Sequence, residues 1–156
     1  MSERADRIKT IATNRKARHL YHVDSTVEAG LSLLGTEVKS LRAGHVSFQD
    51  AYAAVENGEL ILRNLHINPY SQALVQHEPL RPRRLLLHRR EIDKLAARVL
   101  ERGYTLIPLQ LYWKNGRAKV ELALCRGKKQ YDKREDEKKR EQEREMAAAT
   151  RRAAKA

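Results

Sequence analysis

Two Asn-Gly pairs, Asn57-Gly58 and Asn115-Gly116, restrict the fold of this chain more than anything else in it. Asn followed by Gly readily supplies the two positive φ angles of a type I′ turn, so each pair, set between alternating residues, predicts a tight β-hairpin. The first hairpin is predicted over 46–55 and 59–67 and ends at Asn68-Pro69-Tyr70, because proline offers no ladder donor. The second is predicted over 104–114 and 117–125. In it Ile107, Leu109, Leu111 and Trp113 share one phase, while Val120, Leu122 and Leu124 alternate with Lys119, Glu121 and Ala123, which predicts one buried face. Trp113 is expected to anchor the core, with stacking on a base as the alternative.

Outside the hairpins the pattern changes period. Residues 19–23 alternate as a strand would, and the alternation resumes over 28–34 after the polar Asp24-Ser25-Thr26 break. The stretch Gly35-Thr36-Glu37-Val38-Lys39-Ser40-Leu41-Arg42-Ala43-Gly44 predicts a short helix with Thr36 as its cap, Val38 and Leu41 facing a core, and Gly44 as its end. Flanked by strand-like 31–34 and 46–48, this helix would plug a gap between two strands and turn Lys39 and Arg42 outward. Residues 71–82 hold two prolines and no period and read as loop, and 85–87 is a short apolar run among arginines. Ile92, Leu95, Ala96, Val99 and Leu100 recur at helical spacing before Gly103 and are expected in the core. Hairpins, further strands and short inserted helices together predict a mainly β fold, a small closed antiparallel barrel of the OB type.

Charge narrows the partners. In 156 residues there are 32 Lys and Arg against 20 Asp and Glu, a net charge of +12, which favours a polyanion and first of all a nucleic acid. No apolar run is long enough to span a bilayer, so no membrane partner is expected. The polar first 18 residues lack the apolar middle of a secretory signal, and Cys125 is the only cysteine, so the cytoplasm is the expected address. Cys125 is read as a packed small hydrophobe.

The length suits one barrel, residues 1–125, with a basic N-terminal arm that becomes ordered near Asn14, and a tail, 126–156. That tail holds 12 basic and 7 acidic residues, and nothing apolar lies between Tyr131 and Met146. With no face to dock, it is expected to be disordered alone. Yet Glu135 and Asp136 precede Lys139 and Arg140 at i, i+4, and Ala147, Ala148 and Ala149 propagate helix, so it can fold on a template.

His19, His22, Asp24 and Asp50 invite a metal-dependent nuclease reading. In a strand, however, His19 and His22 point to opposite faces, so three ligands do not converge without a bulge, and no phosphate-binding glycine loop is present. No catalytic residue, metal site or cofactor is therefore assigned. A general single-strand binder needs many exposed aromatic platforms, and Phe, Trp and Tyr make up only 5% of the chain.

The 35–44 stretch, Glu28-Ala29-Gly30 before it and Gly127-Lys128-Lys129-Gln130-Tyr131-Asp132-Lys133-Arg134 after it, in this order, resemble the small protein B (SmpB) family of tmRNA-binding proteins, over about residues 11–134. The resemblance implies an adaptor, not an enzyme, that binds the tRNA-like domain of tmRNA and carries it to stalled ribosomes. On the RNA side it implies Asn14, Arg15, Lys16, Arg18, His19, Glu28, Lys39, Arg42 and Leu86. His19 would stack on a base or contact phosphate, and Glu28 would accept from RNA amino or hydroxyl groups or else pair with an arginine. Leu86 matches a position near RNA, although a leucine in an apolar triplet also suits packing. On the ribosome side the resemblance implies Lys128, Lys129, Tyr131, Lys133 and Arg134, with the tail in the small-subunit decoding region and the empty message channel. Elongation factor Tu and alanyl-tRNA synthetase are implied only indirectly, through tmRNA. The alternative is a general structured-RNA or ribosomal-RNA binding protein.

Overall fold

The computed structural model describes residues 6–100, 103–127 and 130–155, with the side chains of 130–133, 135, 136 and 155 outside that description. Its strands are β1 (Ile8–Thr13), β2 (Tyr21–Leu31), β3 (Val46–Ser47), β4 (Tyr52–Glu56), β5 (Glu59–Arg63), β6 (His66–Ile67), β7 (Arg83–Leu86), β8 (Tyr104–Lys114) and β9 (Arg117–Gly127). The helices are α1 (Ala17–Leu20), α2 (Gly35–Arg42), α3 (Arg89–Leu100) and α4 (Gln130–Lys155).

Both Asn-Gly turns form as predicted. Asn57 and Gly58 have φ 51° and 76°, and Asn115 and Gly116 have φ 52° and 80°. Around the ring, β8 pairs β9, β9 pairs β2, β2 pairs β7, β7 pairs β5, β5 pairs β4, and β4 returns to β8 through Ala53 and Leu106. Every pairing is antiparallel, and because β4 returns to β8 the barrel closes and the ring leaves no edge of its own. β3 and β6 form a separate two-stranded ribbon. Leu60, Leu62, Leu85, Leu106, Leu111, Val120 and Leu122 fill the interior, none more than 2% exposed.

Several expectations are corrected here. The arm is strand from Ile8, because β8 is longer than its contact with β4 and offers residues 110–114 as a template for β1. Residues 19–23 are not one strand: Ala17–Leu20 is a helical turn, and β2 then runs unbroken through Asp24-Ser25-Thr26 by taking up an irregularity between Val23 and Ser25. The register of β8 shifts between Pro108 and Gln110, so Leu111 faces the barrel interior while Ile107 and Leu109 join Ala17, Ala123 and Cys125 in a second apolar cluster beneath α1. Both faces of that hairpin are thus covered, where the sequence alternation predicts one. Burial pushes the Cys125 thiol up to about 11, in keeping with a packing role.

The cap of α2 is Leu34 rather than Thr36. The carboxylate of Glu37 reaches back to accept the Leu34 N–H at 2.8 Å, while the Thr36 hydroxyl lies 2.8 Å from His77 Nδ1. Gly44, at φ 77°, ends the helix as predicted. In α3, Ile92 is buried and Leu95 and Val99 pack on the core, but Leu100 stands 87% exposed at the helix end. Trp113 is partly buried against the core. Residues 130–155 form one continuous helix, whose sequence has favourable i, i+4 pairs and helix-propagating alanines. Residues 137–147 are all exposed, as the missing apolar face requires.

Candidate nucleic-acid interface

The support for the basic surface lies beneath it. Glu37, on α2, and Arg83, on β7, are both wholly buried and pair through Arg83 Nε and Glu37 Oε2 at 2.5 Å. Arg81 Nη2 donates to the other carboxylate oxygen at 2.6 Å, and Arg83 also donates to the carbonyls of Leu65 and Pro79. Burial drives the Glu37 carboxyl up, but the hydrogen bonds from Arg81, Leu34 N–H and Arg83, with the charge of Arg83, outweigh it and hold the group below the usual range. His77, also buried, lies 2.9 Å from the Ile67 carbonyl, which only accepts, so its Nε2 carries the proton and its Nδ1 accepts from Thr36. Ser40 donates to the Asn68 carbonyl at 2.6 Å. These bonds pin the inner side of α2, and the sequence pattern did not announce them, since an arginine in a strand ordinarily reads as a surface residue.

Pinned in this way, α2 presents Lys39 and Arg42 outward. The ammonium of Lys39 lies 5.3 Å from the centroid of the Tyr70 ring. Arg42 shares a shallow depression with Lys9 of β1, Trp113 and Gly116. Lys9 is therefore a neighbour of the predicted set that sequence spacing could not attach to Arg42.

At the other end of β1 the chain turns into α1. Asn14 makes that turn: its N–H donates to the Leu109 carbonyl at 2.7 Å and its side-chain amide to the Pro108 carbonyl at 2.9 Å, across the bulge of β8. Its amide NH₂ is thus engaged inside the fold, whereas Arg15, Lys16 and Arg18 are exposed around it. His19 Nε2 lies 3.4 Å from Glu137 Oε1 on α4, and its Nδ1 is buried without a partner among the described residues.

Glu28 and Leu86 occupy another part of the barrel wall. Leu86 pairs with Gly30, two residues from Glu28 on the same face of β2. Leu86 is 50% exposed, and its Cβ lies only 3.1 Å from where a side chain at Gly30 would begin. Glu28 accepts a short hydrogen bond from the Tyr112 hydroxyl and lies 3.3 Å from Lys114 Nζ. Tyr112, opposed by burial, and then Lys114 hold the Glu28 carboxyl below its ordinary value, so it is a charged acceptor already in use. Its cation is a lysine, not the arginine that was the alternative on the sequence.

The nine predicted RNA-side residues therefore divide among the β1–α1 turn with α1, α2 and the β2–β7 wall instead of closing on one point. Of the predicted ribosome-side residues, Arg134 is exposed on α4; Lys128 and Lys129 lie outside the described residues, as do the side chains of Tyr131 and Lys133. Among the described residues no three His, Cys, Asp or Glu converge to hold a metal ion, and no helix is long and apolar enough to cross a membrane. His19 stands on a helical turn, so the strand geometry used above to weigh it as a ligand does not apply.

Comparison with known proteins adds to this geometry. A family model described as SmpB protein matches residues 11–152. The SsrA-binding protein of Thermobifida fusca (strain YX) is 59% identical over 145 residues, covering 92% of this chain and 91% of the relative. That of Geobacillus thermodenitrificans (strain NG80-2) is 58% identical over 144 residues, with 92% and 93% covered. A solved structure described as "tmRNA-SmpB: a journey to the center of the bacterial ribosome" superposes with a TM-score of 0.67 at 48% identity, covering 78% of this chain and 87% of that one.

Proposed function

Since the chain belongs to the SmpB protein family, we propose that it is a cytoplasmic tmRNA-binding adaptor of ribosome rescue: it binds the tRNA-like domain of tmRNA, delivers it to stalled ribosomes, and catalyses no reaction itself. The observation that carries this reading is the 59% identity with an SsrA-binding protein across 92% of the chain, barrel and tail alike. The chemistry agrees, because a closed basic barrel with exposed Arg15, Lys16, Arg18, Lys39 and Arg42 suits the phosphates of a folded RNA.

Within this reading residues 1–125 are the RNA-binding unit and 126–156 the ribosome-binding unit. Arg15, Lys16, Arg18, Lys39 and Arg42 grip phosphate, His19 contacts phosphate or a base, and Leu86 packs against a sugar or base. Asn14 and Glu28 hold the neighbouring side chains and backbone in place and reach RNA with their remaining acceptors. Lys128, Lys129, Tyr131, Lys133 and Arg134 enter the decoding region and lead the tail into the empty message channel. Elongation factor Tu and alanyl-tRNA synthetase meet the protein only through tmRNA. The test is binding of purified protein to the tRNA-like domain beside a same-length RNA hairpin, followed by tagging of stalled chains in a reconstituted translation system. Tight, selective binding and restored tagging are expected; equal binding to both RNAs would leave only a general RNA binder.

A further inference from the structure

We propose that the cleft between α1 and the β3–β4 connection receives an unstacked base of the bound RNA, with Tyr52 as its stacking platform. The proposal rests on the RNA-binding reading above and names a place where that RNA is read. The cleft measures about 870 Å³, within the ~300–1,000 Å³ range of sites that hold small ligands. It draws its walls from distant parts of the chain: α1, the 47–52 segment, Asn64 and β8.

Its composition is specific. The chain has six Tyr, one Phe and one Trp, and three of these rings, Tyr21, Phe48 and Tyr52, line this one cleft. Tyr52 is 37% exposed, so it has surface to offer an incoming ring. The wall is built from unusual backbone: Asp50 and Asn64 hold φ of 60° and 62°, and Asn64 donates its amide to the Asp50 carbonyl at 3.3 Å. The Ala51 N–H donates to the Phe48 carbonyl at 2.9 Å, closing the turn that sets Tyr52.

The occupant follows from the pairing of interior and lip. Apolar and aromatic groups inside suit a flat ring, while the amides of Gln49 and Asn64 can meet its polar edge. Lys16 and the single acid Asp50 are the charged residues of the lining, and Arg15 and Arg18, next to Lys16 and Ala17 in the chain, are exposed. A base carrying a phosphate satisfies both parts, which is how unpaired nucleotides are recognised in folded RNA. An aliphatic peptide would satisfy only the interior.

The test uses the full chain and the tRNA-like domain of tmRNA carrying 2-aminopurine singly at its unpaired positions. At least one position should change its fluorescence on binding. Tyr52→Phe should keep that change. Tyr52→Ala should abolish it and weaken binding about tenfold, with the salt dependence unaltered because no cation is lost. Ultraviolet cross-linking of the unaltered complex, which needs no variant to fold, should join RNA to a peptide containing Tyr52. Silence at every 2-aminopurine position, parent-like behaviour of Tyr52→Ala, or cross-links confined to other peptides would overturn the proposal. Arg18→Ala separates the two readings: if it weakens binding while Tyr52→Ala does not, only the cleft is lost, and if the parent itself fails to bind the RNA, the adaptor reading falls as well.

Discussion

Glu37 and Asn14 illustrate how closely stability and surface chemistry are joined in single residues. Because the Glu37 carboxylate is wholly buried, Arg83→Ala takes away the buried one of its two arginines and leaves Glu37 Oε2 without that donor, expected to cost about 3 kcal/mol in urea unfolding even with Arg81 still bound to the other oxygen. The pH response has a definite sign. The folded-state value of Glu37 lies below its ordinary 4.5, so its contribution is fully present above that value and is lost as pH falls through the lower, folded one. Melting temperature should therefore decline as pH falls below about 4.5, and Arg83→Ala should decline less steeply. Asn14→Ala removes a donor from the Pro108 carbonyl and should destabilise by about 1–2 kcal/mol, a structural cost that its place in a basic arm did not predict. Arg18→Ala and Lys39→Ala, both exposed, should leave stability within about 0.5 kcal/mol while weakening RNA binding by about 1–2 kcal/mol. Urea titration beside RNA titration of these variants distinguishes the two kinds of residue.

At the scale of elements, the contrast is between the β8–β9 hairpin and α4. The hairpin pairs along its whole length, closes the ring, and carries an apolar cluster on each face. The helix has 26 residues with no apolar face, and residues 137–147 are all exposed. Deleting 128–156 should therefore leave the melting temperature of the barrel nearly unchanged and RNA affinity largely intact, because little packed surface is lost. Tagging of stalled chains should collapse if the tail acts in the message channel. Lys139→Pro, costing about 3 kcal/mol inside a helix, should reproduce much of that defect without altering tmRNA affinity. Circular dichroism of the full chain and the truncation, with tagging assays of all three proteins, checks both expectations; normal tagging by either altered protein would remove the tail from the mechanism.

For the whole molecule the governing quantity is a net charge of +12. If binding neutralises roughly 4–8 phosphates, log affinity should fall against log salt with a slope of about −3 to −7, measured on the tRNA-like domain from low to physiological salt. A flat response would contradict a phosphate-led interface. The charge is carried by both units, with 12 basic against 7 acidic residues in 126–156, so truncation should leave most of the slope in place.

Local rules were sufficient for the turns and the closed barrel. Asn57-Gly58 and Asn115-Gly116 dictate their own backbone angles, alternation dictates which residues can face a core, and the gap between Tyr131 and Met146 leaves α4 nothing to bury. The basic residues ahead of α1 and on α2 can likewise be read directly from the sequence. What only the tertiary structure decided depends on contacts between residues far apart in the chain. The spare length of β8 turns an arm into β1, and the bulge at Pro108 moves Ile107 and Leu109 to the outer cluster. Glu37 meets Arg83 across 46 residues, and Glu28 meets Tyr112 across 84. Tyr21, Phe48 and Tyr52 line one cleft only because α1 folds back over β8 beside the β3–β4 connection. No local pattern encodes such meetings, since a side chain's own character says whether it tends to be buried but not which distant residue it meets, and closure of the ring selects that partner.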